Sequence, residues 1–158
     1  MNILLNKGYK NLFMIFVLFA PLFANAQAKT SNEYQAVINA AYKYFEGAAN
    51  GDQALLMASF DTEFGDVKMI RKDKEQNSEV IRNVPMKEFA GFFTKPTTET
   101  WQAEILSVDI VDNQMAMVKM DFKTAKTHYI DYLVMYKRND QWRIINKTFV
   151  AKPLTEKS

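Results

Sequence analysis

From Trp101 to Val150 the chain is written almost entirely in strand-like segments, and the breaks between them are short. Trp101–Val111, Gln114–Lys123, His128–Lys137 and Gln141–Val150 are rich in β-branched and apolar residues. Asp112-Asn113 and Asn139-Asp140 supply turn signals, and a short polar link precedes His128. Strands joined so tightly pair as antiparallel hairpins. One antiparallel sheet therefore takes up the C-terminal part of the chain, and the rest must be arranged around it.

The preceding segments read as helices with one hairpin. Thr30-Ser31-Asn32-Glu33 fits a capping box, which starts a helix near Thr30. Tyr34, Val37, Ile38, Ala41, Phe45 and Ala48 then recur on one helical stripe, and Asn50-Gly51 supplies a left-handed stop. Asp52 caps a shorter helix through Leu55, Leu56 and Phe60. Phe64–Ile70 and Val80–Val84 read as two strands joined across a charged turn at Lys72-Asp73-Lys74-Glu75. Pro85 suits the first position of a third helix, with Phe89, Phe92 and Phe93 along one side. Lys95-Pro96 ends it. Helices first and a sheet later is the α+β pattern. The expected fold class is α+β, with N-terminal helices packed into a strongly curved antiparallel sheet.

The N-terminus has the three parts of a secretory signal. Lys7 and Lys10 give a positive start, Leu12–Phe23 is an uncharged apolar run, and Ala24-Asn25-Ala26 is a small-x-small site. Cleavage is expected between Ala26 and Gln27, making residues 1–26 a signal peptide. A retained anchor needs about 20 apolar residues, and this run is shorter and broken by Pro21. A secreted or periplasmic location follows, with residues 27–152 as one domain and 153–158 as a loose tail. Removing the signal takes two lysines from a chain of 20 basic and 18 acidic residues. The mature domain is formally neutral, so the charge balance gives no support for nucleic-acid binding, and after cleavage nothing holds it to a membrane.

The chain has no cysteine and one histidine, His128. Disulfides, thiolate metal sites and multi-histidine sites are closed to it. No calcium-loop spacing of acids is present either. No cofactor or metal is expected. No repeat or linker divides the mature chain.

Tyr44-Phe45-Glu46-Gly47, Gly51-Asp52 and Leu55–Phe60 carry a resemblance, as do Tyr129-Ile130-Asp131-Tyr132-Leu133 and Trp142–Phe149. Across the mature chain the sequence resembles the nuclear transport factor 2-like superfamily. Within it, the sequence is similar to the putative lumazine-binding and SnoaL-like family of small exported bacterial domains. The resemblance implies a cone-shaped, cystatin-like roll, with the sheet wrapping an apolar pocket. Members of this superfamily include isomerases, dehydratases, polyketide cyclases and non-catalytic modules, so it does not itself assign an activity.

Which side chains would face the cone follows from strand register. With Asn139-Asp140 as a two-residue turn, Lys137 pairs with Trp142, Leu133 with Asn146, and Asp131 lies opposite Thr148. Tyr129, Asp131, Leu133 and Met135 then share a face with Trp142, Ile144, Asn146 and Thr148, and Met120 and Phe122 join them. A one-residue bulge would reverse that assignment locally. Asp131 is the candidate general base or acid, because a desolvated carboxylate gains protons near neutral pH. Tyr129, Tyr44 and Asn146 are its candidate donors, by analogy with ketosteroid isomerase, which has this fold and an aspartate base beside a phenol. The bland alternative is an Asp131 bonded to neighbours that fixes the sheet. His128 falls on the opposite face. Tyr44, Phe60, Phe89, Phe93, Trp101, Met120, Leu133 and Asn146 are the expected lining of a ligand pocket.

Three functions fit: non-catalytic binding of a small apolar or aromatic ligand in the cone, proton-shuttling catalysis through Asp131, and an interaction module dimerising through its sheet face. Burial of Asp131 in a cavity beside a phenol or amide donor discriminates between the first two; a filled, cavity-free cone counts against both and favours the third.

Overall fold

A computed structural model describes residues 20–73, 75 and 77–154, the first twelve of these as helical backbone only. Helix α1 spans Ala20–Asn50 and α2 spans Gln53–Ser59. A hairpin of β1 (Asp66–Asp73) and β2 (Ser78–Pro85) leads into the short α3 (Met86–Ala90). Strands β3 (Gln102–Val111), β4 (Met115–Lys123), β5 (Thr127–Arg138) and β6 (Gln141–Pro153) complete one six-stranded sheet in the order β2-β1-β6-β5-β4-β3. Every junction is antiparallel except β1 with β6, which is parallel over three residue pairs from Asp66↔Asn146 to Lys68↔Thr148.

Local chemistry explains most of these elements. Both Asp112-Asn113 and Asn139-Asp140 hold positive φ at each residue, as a type I′ hairpin turn requires and as Asn and Asp tolerate. Asp52 caps α2 by accepting from Leu55 N at 2.9 Å. Gly51, at φ 63°, ends the ladder of α1 in the left-handed region.

Helix α1 lies against the concave face. Val37, Ala40, Ala41, Tyr44 and Ala48 are its buried stripe, and they meet Val118, Met120, Leu133, Met135 and Ile144 from the sheet. Full burial of each large side chain contributes about 1.5–3 kcal/mol, so this layer supplies most of the cohesion of the domain.

Five expectations are corrected here. Helix α1 is continuous from Ala20, so Thr30 lies inside it rather than capping it. Glu33 instead pairs with Lys137 Nζ at 2.7 Å and accepts from Trp142 Nε1 at 3.0 Å, tying α1 to the β5–β6 hairpin. Tyr34 is exposed, because the buried stripe is centred on Ala40, Ala41 and Tyr44. The third helix stops at Ala90; Phe92 lies beyond it and is exposed, while Phe89 is buried. Pro153 belongs to β6, and Leu154 N donates to Lys126 O at 2.8 Å.

Lys7, Lys10, residues 1–19 in general and residues 155–158 lie outside the described residues, and of Ala26 and Gln27 only the helical backbone is described. Among the described residues no helix is long and apolar enough to cross a membrane.

Candidate functional site: a buried ion pair in the cone

The register of β5 with β6 shifts between Val134 and Met135. Lys137↔Trp142 and Met135↔Ile144 pair as the tight turn dictates, but the next partners are Val134↔Asn146 and Leu133↔Lys147. Ile145 is the extra residue. A bulge changes which parity of the strand faces inward. Asn146 and Thr148 therefore do not face the cone; Lys147 and Phe149 do. Asn146 instead donates from Nδ2 to Oδ1 of Asp66, its own β1 partner, at 2.5 Å, and Thr148 is exposed.

The result is a constellation that the register without a bulge concealed. Asp131 is fully buried and Lys147 is 2% exposed, with Lys147 Nζ 2.8 Å from Asp131 Oδ1. This is an ion pair without an aligned hydrogen bond, and Oδ1 accepts none from any other described residue. Tyr44 donates its hydroxyl to Oδ2 at 3.1 Å from α1. Of the candidate donors it is thus Tyr44, rather than Tyr129 or Asn146, that reaches the carboxylate. Aromatic faces surround the ammonium: Phe149 lies 3.9 Å away, Tyr44 5.6 Å and Phe89 6.0 Å, measured to ring centroids.

Environment shifts both partners of Asp131. Burial, followed by the neighbouring carboxylate, raises the Tyr44 phenol well above its usual 10.0. Burial lowers the Lys147 ammonium from its usual 10.5, against the opposing attraction of Asp131.

The expected pocket residues divide into two groups. Tyr44, Phe60, Met120 and Leu133 are at most 2% exposed and form packed core around the ion pair. They pack the cone's interior where an open lining was expected. Phe89 is 7% exposed, and Phe93 and Trp101 are only partly buried, as are Tyr129 and Phe149, which were not among the expected lining. Trp101, Phe122, Tyr129 and Phe149 touch in sequence, with centroids 5.3–5.8 Å apart, and Phe89 meets Phe93 at 5.2 Å. The partly buried rings thus lie against the buried Phe89 and Phe122. Two concavities, of about 290 and 190 Å³, lie away from the ion pair, and Phe60 is the one expected pocket residue that lines the larger. The larger sits between the α2–β1 loop and the β5–β6 turn, beside Asp61 and Arg138; the smaller lies along β3 and β4 at Glu104 and Asp121.

His128 lies on the convex face, as strand alternation requires, with Nε2 2.9 Å from Asp121 Oδ2. Among the described residues no group of three or more His, Asp or Glu side chains is arranged to hold a metal ion.

A family model described as "Putative lumazine-binding" matches residues 32–150. Similar solved structures include an NTF2-like protein of unknown function from Shewanella baltica, at TM-score 0.66 and 20% identity, covering 78% of this chain and 97% of that one. A ketosteroid isomerase-like protein from Erwinia carotovora atroseptica superposes at TM-score 0.55 and 12% identity, covering 78% and 97%. The association domain of C. elegans CaMKII superposes at 0.53 and 11%, covering 75% and 95%. At these identities the structures share the fold. No curated protein sequence matches significantly. The family match spans the helices, the curved sheet and the buried pair, and the chain belongs to the putative lumazine-binding family on the nuclear transport factor 2-like fold.

Proposed function

We propose that the chain is an exported, non-catalytic binding domain that takes a small, flat ligand at the aromatic mouth of its cone. The observation that carries this reading is the Lys147–Asp131 pair, buried with Tyr44 in a core against which the partly buried Phe93, Trp101, Tyr129 and Phe149 pack. A core selected for stability alone gains little from such a pair, since well-packed apolar residues do as well or better. Charged groups retained beside aromatic rings suit recognition of a ring with a polar edge. The family description points the same way. A proton shuttle at Asp131 finds less support. Tyr44 and Lys147 flank its two oxygens, so the protons within its reach are theirs and not those on a carbon of a ligand at the aromatic residues. Export is supported by the signal-like N-terminus.

Native mass spectrometry of the protein purified from the exported fraction of its host tests the reading. The expected result is one small molecule per chain, lost in a Trp101→Ala, Phe149→Ala variant. A chain that emerges empty, and whose Trp101 fluorescence ignores naphthyl methanol, overturns it.

A second reading, self-association through the convex face, rests on the filled interior of the cone and on a different surface observation. Val111, Met115 and Tyr136 form one cross-strand row, with Met117 and Val134 in the next and Ile130 beside Val150 further along. Val111, Met115, Met117, Tyr132, Tyr136 and Val150 are all exposed. Contiguous apolar surface of this kind marks an interface. Light scattering is expected to give a dimer that Met117→Lys with Tyr136→Glu converts to monomer; a wild-type monomer removes this reading.

A further inference from the structure

We propose that Lys147 is a covalent anchor: its amine captures a carbonyl-bearing ligand as a reversible, protonated imine whose counter-ion is Asp131. The proposal rests on the ligand-binding reading above and names the chemical class of the ligand, a flat aromatic aldehyde or ketone.

Three features of the geometry point to it. The first is desolvation. The ammonium is held among the rings of Phe149, Tyr44 and Phe89, with one carboxylate oxygen as its ionic partner. An amine kept from water in apolar surroundings loses its proton more readily than an exposed one, and neutral amine is the nucleophile. The second is a proton acceptor in place. Asp131 Oδ1 lies 2.8 Å from Nζ and accepts no other hydrogen bond from the described residues, while Tyr44 steadies Oδ2. The third is depth. Phe149 is partly buried and its ring centroid lies 3.9 Å from Nζ, so a residue that reaches solvent adjoins the amine. A ligand ring that displaces or slides beside Phe149 brings its carbonyl carbon to the nitrogen.

The chemistry balances without a redox partner. The ammonium gives one proton to Asp131, and the nitrogen lone pair forms a bond to the carbonyl carbon. The carbonyl oxygen takes up a proton from Asp131 and leaves, with a second from the nitrogen, as water. Of the three ammonium protons, two depart in water and one stays on the iminium nitrogen. The Asp131 carboxylate ends as it began, paired with one positive charge.

The test is reductive trapping of the full mature domain with naphthaldehyde and sodium cyanoborohydride near neutral pH, followed by peptide mapping. Naphthyl methanol, which has the same ring and no carbonyl, is titrated in parallel against Trp101 fluorescence. The expected result is an adduct on Lys147 that clearly exceeds the adduct on any exposed lysine. Lys147→Met with Asp131→Leu, which removes the pair without stranding a charge, is expected to abolish that adduct while labelling of exposed lysines is unchanged. Labelling confined to exposed lysines overturns the proposal. Binding of the alcohol without a Lys147 adduct overturns the imine and leaves the binding reading intact. Failure of both probes overturns both.

Discussion

Two carboxylate–cation pairs sit on the two faces of one sheet. Asp131 and Lys147 face the cone at 0% and 3% side-chain exposure, 2.8 Å apart. Asp121 faces outward with His128 at 2.9 Å and Lys123 at 3.3 Å, at 18%, 29% and 46% exposure. The groups are of the same chemical kinds and lie on the same strands or the next one. Outside, water solvates each charge whether or not its partner is present, so the pair adds little. Inside, each charge depends on the other, and the attraction mainly offsets a desolvation cost that the pair itself created. The contrast teaches that the inner pair is expensive to break and inexpensive to replace, while the outer one is neither.

The largest expected effect breaks the inner pair. Lys147→Met strands a buried carboxylate and is expected to cost about 3–5 kcal/mol in urea denaturation. Adding Asp131→Leu is expected to restore most of that loss. If the single and double variants are equally unstable, the packing of Lys147 rather than its charge is what matters.

Next in size is Tyr44→Phe, which removes the hydroxyl that Oδ2 accepts from. The expected cost is about 2 kcal/mol, as for a hydrogen bond to a charged group. The same variant separates two alkaline effects of opposite sign. The folded-state pKa of Tyr44 is raised, so its contribution is complete below 10.0 and is lost as pH rises through the folded value. That of Lys147 is lowered, so the unfolded chain binds the extra proton and stability gains as pH rises toward 10.5. Wild-type stability is expected to fall above pH 10, and Tyr44→Phe to lose that fall. A variant that tracks the wild type through this range contradicts the assignment.

The smallest effect belongs to the outer face. Asp121→Asn is expected to cost less than about 1 kcal/mol, and moderate salt to shrink the difference further. Burial raises the Asp121 pKa, but His128 and Lys123 more than offset it, leaving the net below the usual value. Its contribution is therefore present above the ordinary carboxylate range and is lost only as pH falls through the lowered folded value. Asp121→Asn is expected to match the wild type more closely at such pH than at neutrality. A loss as large as that of Lys147→Met would erase the contrast between the faces.

The sheet was legible in the sequence because its turns are. Asp112-Asn113 and Asn139-Asp140 are residues that accept positive φ and mark the strand ends, and Asn139-Asp140 also fixes the first pair beyond it, Arg138↔Gln141. Asp131 facing inward, His128 outward, and Met120 and Phe122 beside Asp131 all followed from alternation. Lys147 did not, because the bulge at Ile145 has no local mark: no glycine or proline stands there, and a lysine among Asn146 and Thr148 reads as solvent-facing. One available signal was Phe149, an aromatic side chain that the bulge-free register turned outward. The helix start at Thr30 misread for a related reason, since Glu33 has the right spacing for a capping box and is used across the fold by Lys137 and Trp142 instead.

The bulge also makes β6 a strand written in two frames. Residues before Ile145 face the helices on even numbers and residues after it on odd ones. Deleting that single isoleucine would leave the composition almost untouched and remove the bulge, because Asn146 would then follow Ile144 in plain alternation. Lys147 and Phe149 would keep their inward positions opposite Leu133 and Asp131. Among relatives, a cone-facing lysine can therefore stand one residue nearer the last turn without a bulge, or at the present distance with one.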